Sequence, residues 1–454
     1  MFIAPTEQFL VHQFKKINLA ANGKHIAEVQ QKPLSNSAWQ KLKSKFKYMK
    51  YFIILLVVFS SCKPSTDKAP EPKTFKEIHN EAIVIDTHND ILMKTVDLGI
   101  MLDQDLTGKT HTDLNRWKKG GLDVQIFSVF SDGGVENPFA LANRQMDSLD
   151  VTIARNPNKI IKVANADAIL KAVKENKIAA MFGVEGGHMI EEDLNKLEAL
   201  YKRGARYLTL THNVAPSWAT SAADETTNPN LQQKGLTDFG IQVVTKMNEL
   251  GMMIDVSHSG EQTFWDVIKS TNKPIIASHS SVYSLVQSRR NLKDDQIKAI
   301  AKNDGVIMIN FHPGFIDSSF GEKEKAFFEK HVTEIDSLLK SGMDEWYMMG
   351  YLYKKYAAEA NQIRPPLSKL IDHIEYIVKL VGVDYVGLGS DFDGINLTPL
   401  QLDDVASYPL ITKALVEKGY HEKDIVKILG SNFLRVLKAN ELKKERLPTM
   451  AIIK

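Results

Sequence analysis

The residues best suited to chemistry follow short apolar runs, and the first such run ends in segment 83–90, IVIDTHND. Side chains of an extended strand alternate between its two faces, so Asp86, His88 and Asp90 would share one face. Imidazole nitrogens and carboxylate oxygens are common protein ligands of zinc-like ions. A buried strand with an ordinary polar end would give the same short pattern, so the interpretation depends on the other strand ends.

Histidines and acids also follow other apolar runs. Glu185 lies in GVEGG, where glycines permit close backbone approach, and its two carboxylate oxygens could bridge two metal ions. His258 and His279 each end an apolar run beside serine hydroxyls that could orient their rings. Three more polar residues occupy comparable positions: His212, His312 and Asp391. So many candidate ligands at strand ends favour a metal site over isolated capping residues.

The elements that must position these residues are short strands alternating with helices. Eight predicted strands end near His88, Phe130, Val184, Thr211, Val256, Ser278, Asn310 and Ser390. Between most of them, apolar residues recur every three or four positions, which is typical of amphipathic helices. The alternation predicts βαβ units and a parallel sheet, and eight repeats predict an α/β fold of the (β/α)8 TIM-like barrel type. The active site of such a barrel lies where its strands end.

The interval between the last two predicted strands is too long for one crossover. It contains predicted helices over 322–339 and 345–361, followed by a crossover helix over 367–381. We interpret 314–364 as a helical insertion in a loop on the active-site side of the barrel. A lid, an oligomer contact and a plain surface excursion all remain open for it.

The N-terminal region predicts secretion and lipid anchoring. A lysine-rich stretch precedes the apolar run 51–59, and Ser60, Ser61 and Cys62 follow. This arrangement resembles a bacterial lipoprotein signal peptide in which Cys62 is lipidated, although Phe59 replaces the usual leucine. An uncleaved membrane anchor is the alternative. We therefore expect a bacterial cell-envelope protein attached to the outer membrane or facing the periplasm.

Composition divides the chain further. The predicted parts are a disordered upstream extension 1–48, a lipoprotein signal peptide 49–62, a tether 63–74, a barrel domain 75–440 and a tail 441–454. The formal net charge of +2 supplies no basic field for nucleic acid. Because Cys62 is the only cysteine, an intramolecular disulfide is excluded.

Six segments, taken in order, resemble the membrane (renal) dipeptidase family, the zinc dipeptidases of peptidase family M19. They are IDTHND, GVEGGH, YLTLTHN, IDVSHSG, ASHSSVYSLVQSRRN and GLGSDFDG, with GSNFLRVL after them. The match extends from about Ile83 to Leu437, nearly the whole predicted mature chain. Other amidohydrolase barrels usually carry a carboxylated lysine as the bridging ligand, where this chain has Glu185.

The resemblance implies two zinc ions per chain. His88 and Asp90 would hold one ion, His258 and His279 would hold the other, and Glu185 would bridge both.

The resemblance also implies substrate contacts. His212 would contact the substrate carbonyl oxygen, and Arg290 would pair with the terminal carboxylate. Asp391 would handle the proton that goes to the leaving amine. Alternatives stay open for each: His212 could cap a loop, Arg290 could be a surface charge beside Arg289, and Asp393 could be the working acid.

We therefore expect a zinc-dependent dipeptidase that hydrolyses free dipeptides through a hydroxide bridging the two metals. The resemblance allows L-L dipeptides and those with a D residue at the C-terminal position. Another metal-dependent amidohydrolase or lactonase on the same barrel and a non-catalytic surface-binding lipoprotein are the alternatives. A homodimer is implied by the resemblance alone.

Overall fold

The computed structural model describes residues 72–442. The predicted extension 1–48, the signal segment with Cys62, most of the tether and most of the tail lie outside the described residues. Within residues 72–442, no helix has both the length and the apolarity needed to cross a membrane.

Nine short strands form one parallel sheet. They are β1 (Ile85–Asp86), β2 (Val124–Phe130), β3 (Ile160–Lys162), β4 (Ile178–Glu185), β5 (Ala205–Thr209), β6 (Met253–Asp255), β7 (Ile276–Ala277), β8 (Val306–Ile309) and β9 (Val386–Leu388). Eight of them pair in the order β1-β2-β4-β5-β6-β7-β8-β9, and β3 pairs with β4 outside this path. The eight match the predicted strands.

The first and last strands approach each other through residues just beyond their ends. The backbone N–H of Thr87 donates to Leu388 O at 3.2 Å, and the N–H of Asp391 donates to His88 O at 3.1 Å. These bonds nearly close the eight strands into a parallel barrel, which confirms the predicted (β/α)8 architecture. The additional strand β3 has no predicted counterpart, because Ile160 is its only buried residue and the apolar run is very short.

Helices cover the outside of the barrel. Their bounds are α1 (Phe75–Glu81), α2 (Ile91–Leu98), α3 (Leu114–Lys119), α4 (Pro138–Arg155), α5 (Ala166–Lys174), α6 (Leu194–Arg203), α7 (Ala222–Thr227), α8 (Asp238–Leu250), α9 (Glu261–Ser270), α10 (Asp294–Lys302), α11 (Pro313–Ile316), α12 (Phe320–Lys330), α13 (Val332–Lys340), α14 (Glu345–Lys355), α15 (Ala357–Ile363), α16 (Leu367–Val381), α17 (Tyr408–Glu417), α18 (Glu422–Val426) and α19 (Asn432–Asn440). A π-helical turn, Lys427–Ser431, separates the last two.

Strand side chains alternate between two buried clusters. On β4, Ala179 and Met181 belong to the cluster inside the barrel, whereas Ala180 and Phe182 belong to the layer between the strands and the helices. Glu185 has the parity of the inner residues. The end of β4 therefore directs this carboxylate into the mouth of the barrel.

The predicted insertion consists of α12 to α15 and has its own apolar core, which includes Phe320, Phe327 and Leu352. Each of the two long helices expected there is broken into two, at His331 and at Tyr356. The rings of these two residues stack at a centroid distance of 3.7 Å. The breaks thus meet inside the insertion and hold its two halves together.

Candidate metal centre and active site

The ends of the strands bring imidazole and carboxylate groups together around Glu185. One oxygen of Glu185, Oε1, lies 3.1 Å from Nε2 of His258 and 3.3 Å from Nε2 of His279. The other oxygen, Oε2, lies 3.2 Å from Nε2 of His88, which is itself 3.5 Å from Oδ2 of Asp90. One oxygen therefore faces two predicted ligands, and the other faces His88, beside which Asp90 lies.

A tyrosine fixes the orientation of His88. The hydroxyl of Tyr207 donates to the carbonyl of Thr87 at 3.0 Å, so it accepts from Nδ1 of His88 at 2.9 Å. With the proton on Nδ1, the Nε2 lone pair points at the carboxylates. Gly183 on β4 leaves room for Tyr207, because any Cβ at that position would overlap its ring.

A carboxylate fixes His279 in a similar way. Ser278 Oγ donates to Asp255 at 2.5 Å and accepts from Nδ1 of His279 at 2.8 Å. Asp255 is fully buried and also accepts from Thr209 Oγ1 at 2.5 Å and from the N–H of Ser257 at 3.0 Å. This hydrogen-bond chain leaves the Nε2 lone pair of His279 free to act as a ligand.

Two site residues have a backbone conformation that is uncommon outside glycine. The φ angles of His258 and Asp391 are +63° and +64°, in the left-handed region. Such conformations cost of order 1–3 kcal/mol and are concentrated at functional sites. Among the nine described non-glycine residues with positive φ, these two are a predicted ligand and the predicted acid.

The donor set fits divalent metal ions. Among the described residues, Nε2 of His88 and Oδ1 of Asp90 are buried without a hydrogen-bond partner. Burial lowers the pKa of both His258 and His279, which favours the neutral imidazoles that metals require. Three imidazoles and two carboxylates with inward lone pairs are typical of zinc-like sites. The predicted set His88, Asp90, Glu185, His258 and His279 is therefore assembled in one place.

His212 lies at the edge of this group rather than capping a distant loop. Its ring is 4.4 Å from that of His258 between centroids, and its Nδ1 lies 3.3 Å from Oδ1 of Asp132. The edge of Phe130 packs against the same ring at 4.6 Å. His212 is thus held beside the ligands with one nitrogen directed at a carboxylate.

Arg290 is buried and lies on the cavity wall, unlike an ordinary surface cation. Its Nη2 donates to the carbonyl of His279 at 3.2 Å, and its guanidinium lies 5.6 Å from the ring centre of Phe315. Burial lowers its pKa to about 10, so the group stays cationic at neutral pH.

The two acids of the DFDG segment have different environments. Asp391 faces the cavity, where its Oδ2 accepts from Asn310 Nδ2 at 2.9 Å. Asp393 is fully buried and accepts from Lys94 Nζ at 2.9 Å and from Thr112 Oγ1 at 2.5 Å. Asp393 is occupied by these partners, so the geometry favours Asp391 as the acid available to a substrate.

A cavity of about 1080 Å³ opens above the ligands. Its wall includes the predicted residues Asp90, Glu185, His212, His258, Arg290 and Asp391. The insertion contributes Trp346 and Tyr347 to the same wall. His312 also reaches this wall, and its Nδ1 accepts from the N–H of Gly314 at 3.0 Å, as in ordinary loop packing.

Some supporting residues are not evident from the sequence. Tyr207 gives no signal, because an aromatic residue in a strand is typical of any core. Asp255 does give a signal in the sequence, since a carboxylate inside the apolar run MMIDV needs buried hydrogen-bond donors. Lys94 appears in the sequence as an ordinary surface lysine of α2, yet it forms the buried ion pair with Asp393.

The barrel and its strand-end ligands define a metal-dependent hydrolase. The family model described as membrane dipeptidase (peptidase family M19) matches residues 73–451. An uncharacterized dipeptidase of Schizosaccharomyces pombe is 34% identical over 397 residues, which cover 83% of this chain and 85% of that protein. The chain therefore belongs to the membrane dipeptidase family, M19, and is a metallopeptidase.

Solved structures share the fold. The probable dipeptidase PvdM from Pseudomonas aeruginosa is 23% identical with a TM-score of 0.66, covering 81% of this chain and 97% of that one. A metallopeptidase from Rhodobacter sphaeroides, solved with a phosphinate mimic of the dipeptide L-Ala-D-Ala, is 20% identical with a TM-score of 0.65, covering 80% and 100%. At these identities the likeness supports the barrel alone.

Proposed function

We propose that this metallopeptidase is a zinc-dependent dipeptidase that binds two zinc ions per chain and cleaves free dipeptides. One observation carries the proposal: one carboxylate oxygen of Glu185 faces two imidazoles and the other faces a third, at 3.1 to 3.3 Å, in a cavity that also exposes Arg290 and Asp391. His88 and Asp90 would hold one ion, His258 and His279 the other. When bound, two zinc ions polarise a peptide carbonyl and lower the pKa of water.

Arg290 would define the substrate as one with a free carboxylate close to the scissile bond. A guanidinium binds a carboxylate through two parallel hydrogen bonds, and the stacking of Arg290 on Phe315 holds it in the wall. With the C-terminal carboxylate at Arg290, the peptide bond of a dipeptide would reach Glu185 and His212. His212 would donate to the carbonyl oxygen as negative charge develops on it.

Asp391 would transfer the proton to the leaving amine. Burial and the neighbouring charge of Asp90 raise its pKa well above the usual value for aspartate, so the carboxyl can hold a proton when the C–N bond breaks. The hydrogen bond from Asn310 orients it toward the cavity.

The proposal includes both L-L dipeptides and dipeptides with a C-terminal D residue. The Rhodobacter sphaeroides protein was solved with a mimic of L-Ala-D-Ala, which supports the second class of substrate. The family assignment also favours peptide hydrolysis over lactone hydrolysis and over simple surface binding.

The test is a metal analysis together with an assay on the same purified protein. We expect about two zinc ions per chain, cleavage of L-Ala-L-Ala and L-Ala-D-Ala, and loss of both activities with a chelator. L-Ala-L-Ala amide, which lacks the free carboxylate, should be cleaved at least about tenfold less efficiently, the loss that corresponds to 1.4 kcal/mol. Metal-loaded protein that cleaves neither dipeptide would refute the proposed function.

We further propose that Cys62 is lipidated and anchors the enzyme in the bacterial cell envelope, since a basic and apolar leader precedes it. Incorporation of labelled fatty acid should disappear in Cys62→Ala, and equal labelling of both proteins would contradict the anchor. On the basis of the family resemblance, we also propose that the enzyme is a homodimer. A monomeric mass measured by light scattering would contradict the dimer.

A further inference from the structure

A second and smaller cavity, of about 140 Å³, adjoins the active-site cavity. The two cavities share five lining residues: His312, Trp346, Met349, Gly394 and Ile395. A group bound at the metal centre therefore has this second space beside it, separated by side chains that belong to both walls.

The rest of the lining combines apolar and polar groups and contains one acid. Phe320 and Leu397 contribute apolar surface, while Glu324 accepts a hydrogen bond from Tyr353 Oη at 2.6 Å. Within residues 72–442, Glu324 forms no salt bridge with a lysine, arginine or histidine. Burial raises its pKa, which means that its negative charge is poorly solvated where it lies. An ammonium group entering the cavity would relieve that cost.

The small cavity lies on the side where the C-terminal residue of a dipeptide would bind. The ring of Phe315, which stacks with Arg290, is 4.5 Å from that of the shared residue His312. On the other side, a Cβ on the shared residue Gly394 would lie 2.6 Å from Oδ1 of Asp391. The cavity thus lies behind residues that contact Phe315, the partner of Arg290, and Asp391, without being lined by Arg290 or Asp391 themselves.

The insertion builds about half of this cavity. Phe320, Glu324, Trp346, Met349 and Tyr353 all come from its helices. The remaining walls come from His312 after β8 and from the loop after β9. The Asn396 side chain in this loop donates to the carbonyl of Trp346 at 3.0 Å. The insertion is therefore fastened to the loop that also carries Asp391.

We propose that this cavity receives the side chain of the substrate's C-terminal residue, and that Glu324 selects a long side chain ending in an ammonium group, as in lysine and related diamino acids. The inference rests on the proposed dipeptidase function and on the assignment of the terminal carboxylate to Arg290. It gives the insertion a role in substrate choice, distinct from the lid, the oligomer contact and the surface excursion.

The experiment compares two substrates in the same enzyme sample. L-Ala-L-Lys carries the ammonium group, and L-Ala-L-norleucine has a similar chain without it. We expect kcat/KM to be about tenfold higher for the lysine substrate in the wild type, the ratio that corresponds to 1.4 kcal/mol. Glu324→Gln should bring the ratio close to one.

Glu329→Gln is the matched control, because Glu329 is on the same helix with its side chain 66% exposed, and it should keep the wild-type ratio. Partial misfolding of a variant lowers both rates and leaves their ratio unaffected. If Glu324→Gln cannot be assayed, Leu397→Phe should fill the cavity and lower kcat/KM for both long substrates relative to L-Ala-Gly.

A wild-type ratio near one, or a ratio that Glu324→Gln does not change, would overturn the inference. If Leu397→Phe leaves kcat/KM for the two long substrates unchanged relative to L-Ala-Gly, the inference is also overturned. If the wild type cleaves L-Ala-L-Ala without favouring lysine, this inference alone is refuted. If metal-loaded wild type cleaves no dipeptide, the proposed function is refuted and this inference with it.

Discussion

Tyr207 and Ser278 hold His88 and His279 by their Nδ1 atoms, so the metal-facing nitrogens are fixed before any ion arrives. Such hydrogen bonds set the ring tautomer and raise the basicity of the ligand. The convergence of the candidate ligands could be predicted because the sequence places them at strand ends. Tyr207 could not, because its role depends on Gly183, which lies on the neighbouring strand and leaves the space for its ring.

Removal of the Tyr207 hydroxyl should weaken metal binding. In Tyr207→Phe the Nδ1–H of His88 loses its acceptor in a fully buried position, and the ring is no longer fixed. We expect zinc affinity to fall by about 10- to 100-fold, the range for lost partners of metal ligands. Competition with a chromophoric chelator measures this change directly.

Tyr376→Phe is a suitable control for that experiment. It also removes a tyrosine hydrogen bond, to Asp294 at 2.9 Å, but at a position outside the cavity lining. Equal zinc affinities for the two variants would show that Tyr207 does not position His88.

At the scale of elements, α1 is attached to the barrel domain by a buried histidine. His79 Nε2 donates to the carbonyl of Gly120 at 2.8 Å, and Nδ1 accepts from Thr412 Oγ1 at 2.7 Å. One residue thus joins α1 to the end of α3 and to α17. Burial lowers the pKa of His79, so the folded protein holds the neutral ring.

This histidine should make stability depend on pH. The unfolded state takes up the proton near the ordinary histidine pKa of about 6.5, whereas the folded state does so only at lower pH. The stabilisation that neutral His79 gives the folded protein is therefore complete above the unfolded-state pKa. It is lost as pH falls through the folded-state pKa. Each pKa unit of lowering corresponds to about 1.4 kcal/mol of unfolding free energy.

Urea unfolding at pH 7.5 and pH 5 tests this expectation. His79→Gln keeps one donor and one acceptor but does not titrate, so it should lose less stability on acidification than the wild type. His421→Gln, at an exposed position, should behave like the wild type. The expectation fails if all three proteins lose the same unfolding free energy between pH 7.5 and pH 5.

Most elements could be predicted from hydrophobic periodicity, because eight strands and the crossover helix α16 carry clear apolar patterns. The pattern could not reveal the breaks in the insertion. His331 and Tyr356 are compatible with continuous helices, and the helices end there as the two rings stack across the insertion. The small cavity beside the active site has the same origin, since contacts between distant segments create it.

At the scale of the whole molecule, the ligands connect parts of the chain that are far apart in sequence. His88, Glu185, His258 and His279 lie at or just after the ends of four different strands. A metal that binds the folded state alone adds about 4 kcal/mol to the unfolding free energy when its free concentration is a thousand times its Kd.

Removing the metals should therefore lower the melting temperature. We expect chelator-treated protein to melt several degrees earlier and zinc addition to restore the original value, as measured by calorimetry at fixed pH. In His258→Ala, the difference in melting temperature between chelator-treated and zinc-loaded samples should be smaller than in the wild type. A melting temperature that does not respond to chelation would contradict the assembled metal centre.

The bonds that nearly close the barrel have a consequence for synthesis of the chain. Asp391 is bonded through its N–H to the carbonyl of His88, so the segment of the first predicted ligand and the segment of the predicted acid are neighbours only in the finished barrel. A ribosome must release β9 before the earlier ligands gain that neighbour. The predicted acid thus joins the candidate ligands only after β9 has been made, and a chain truncated before Val386 would leave those ligands in an open sheet without it.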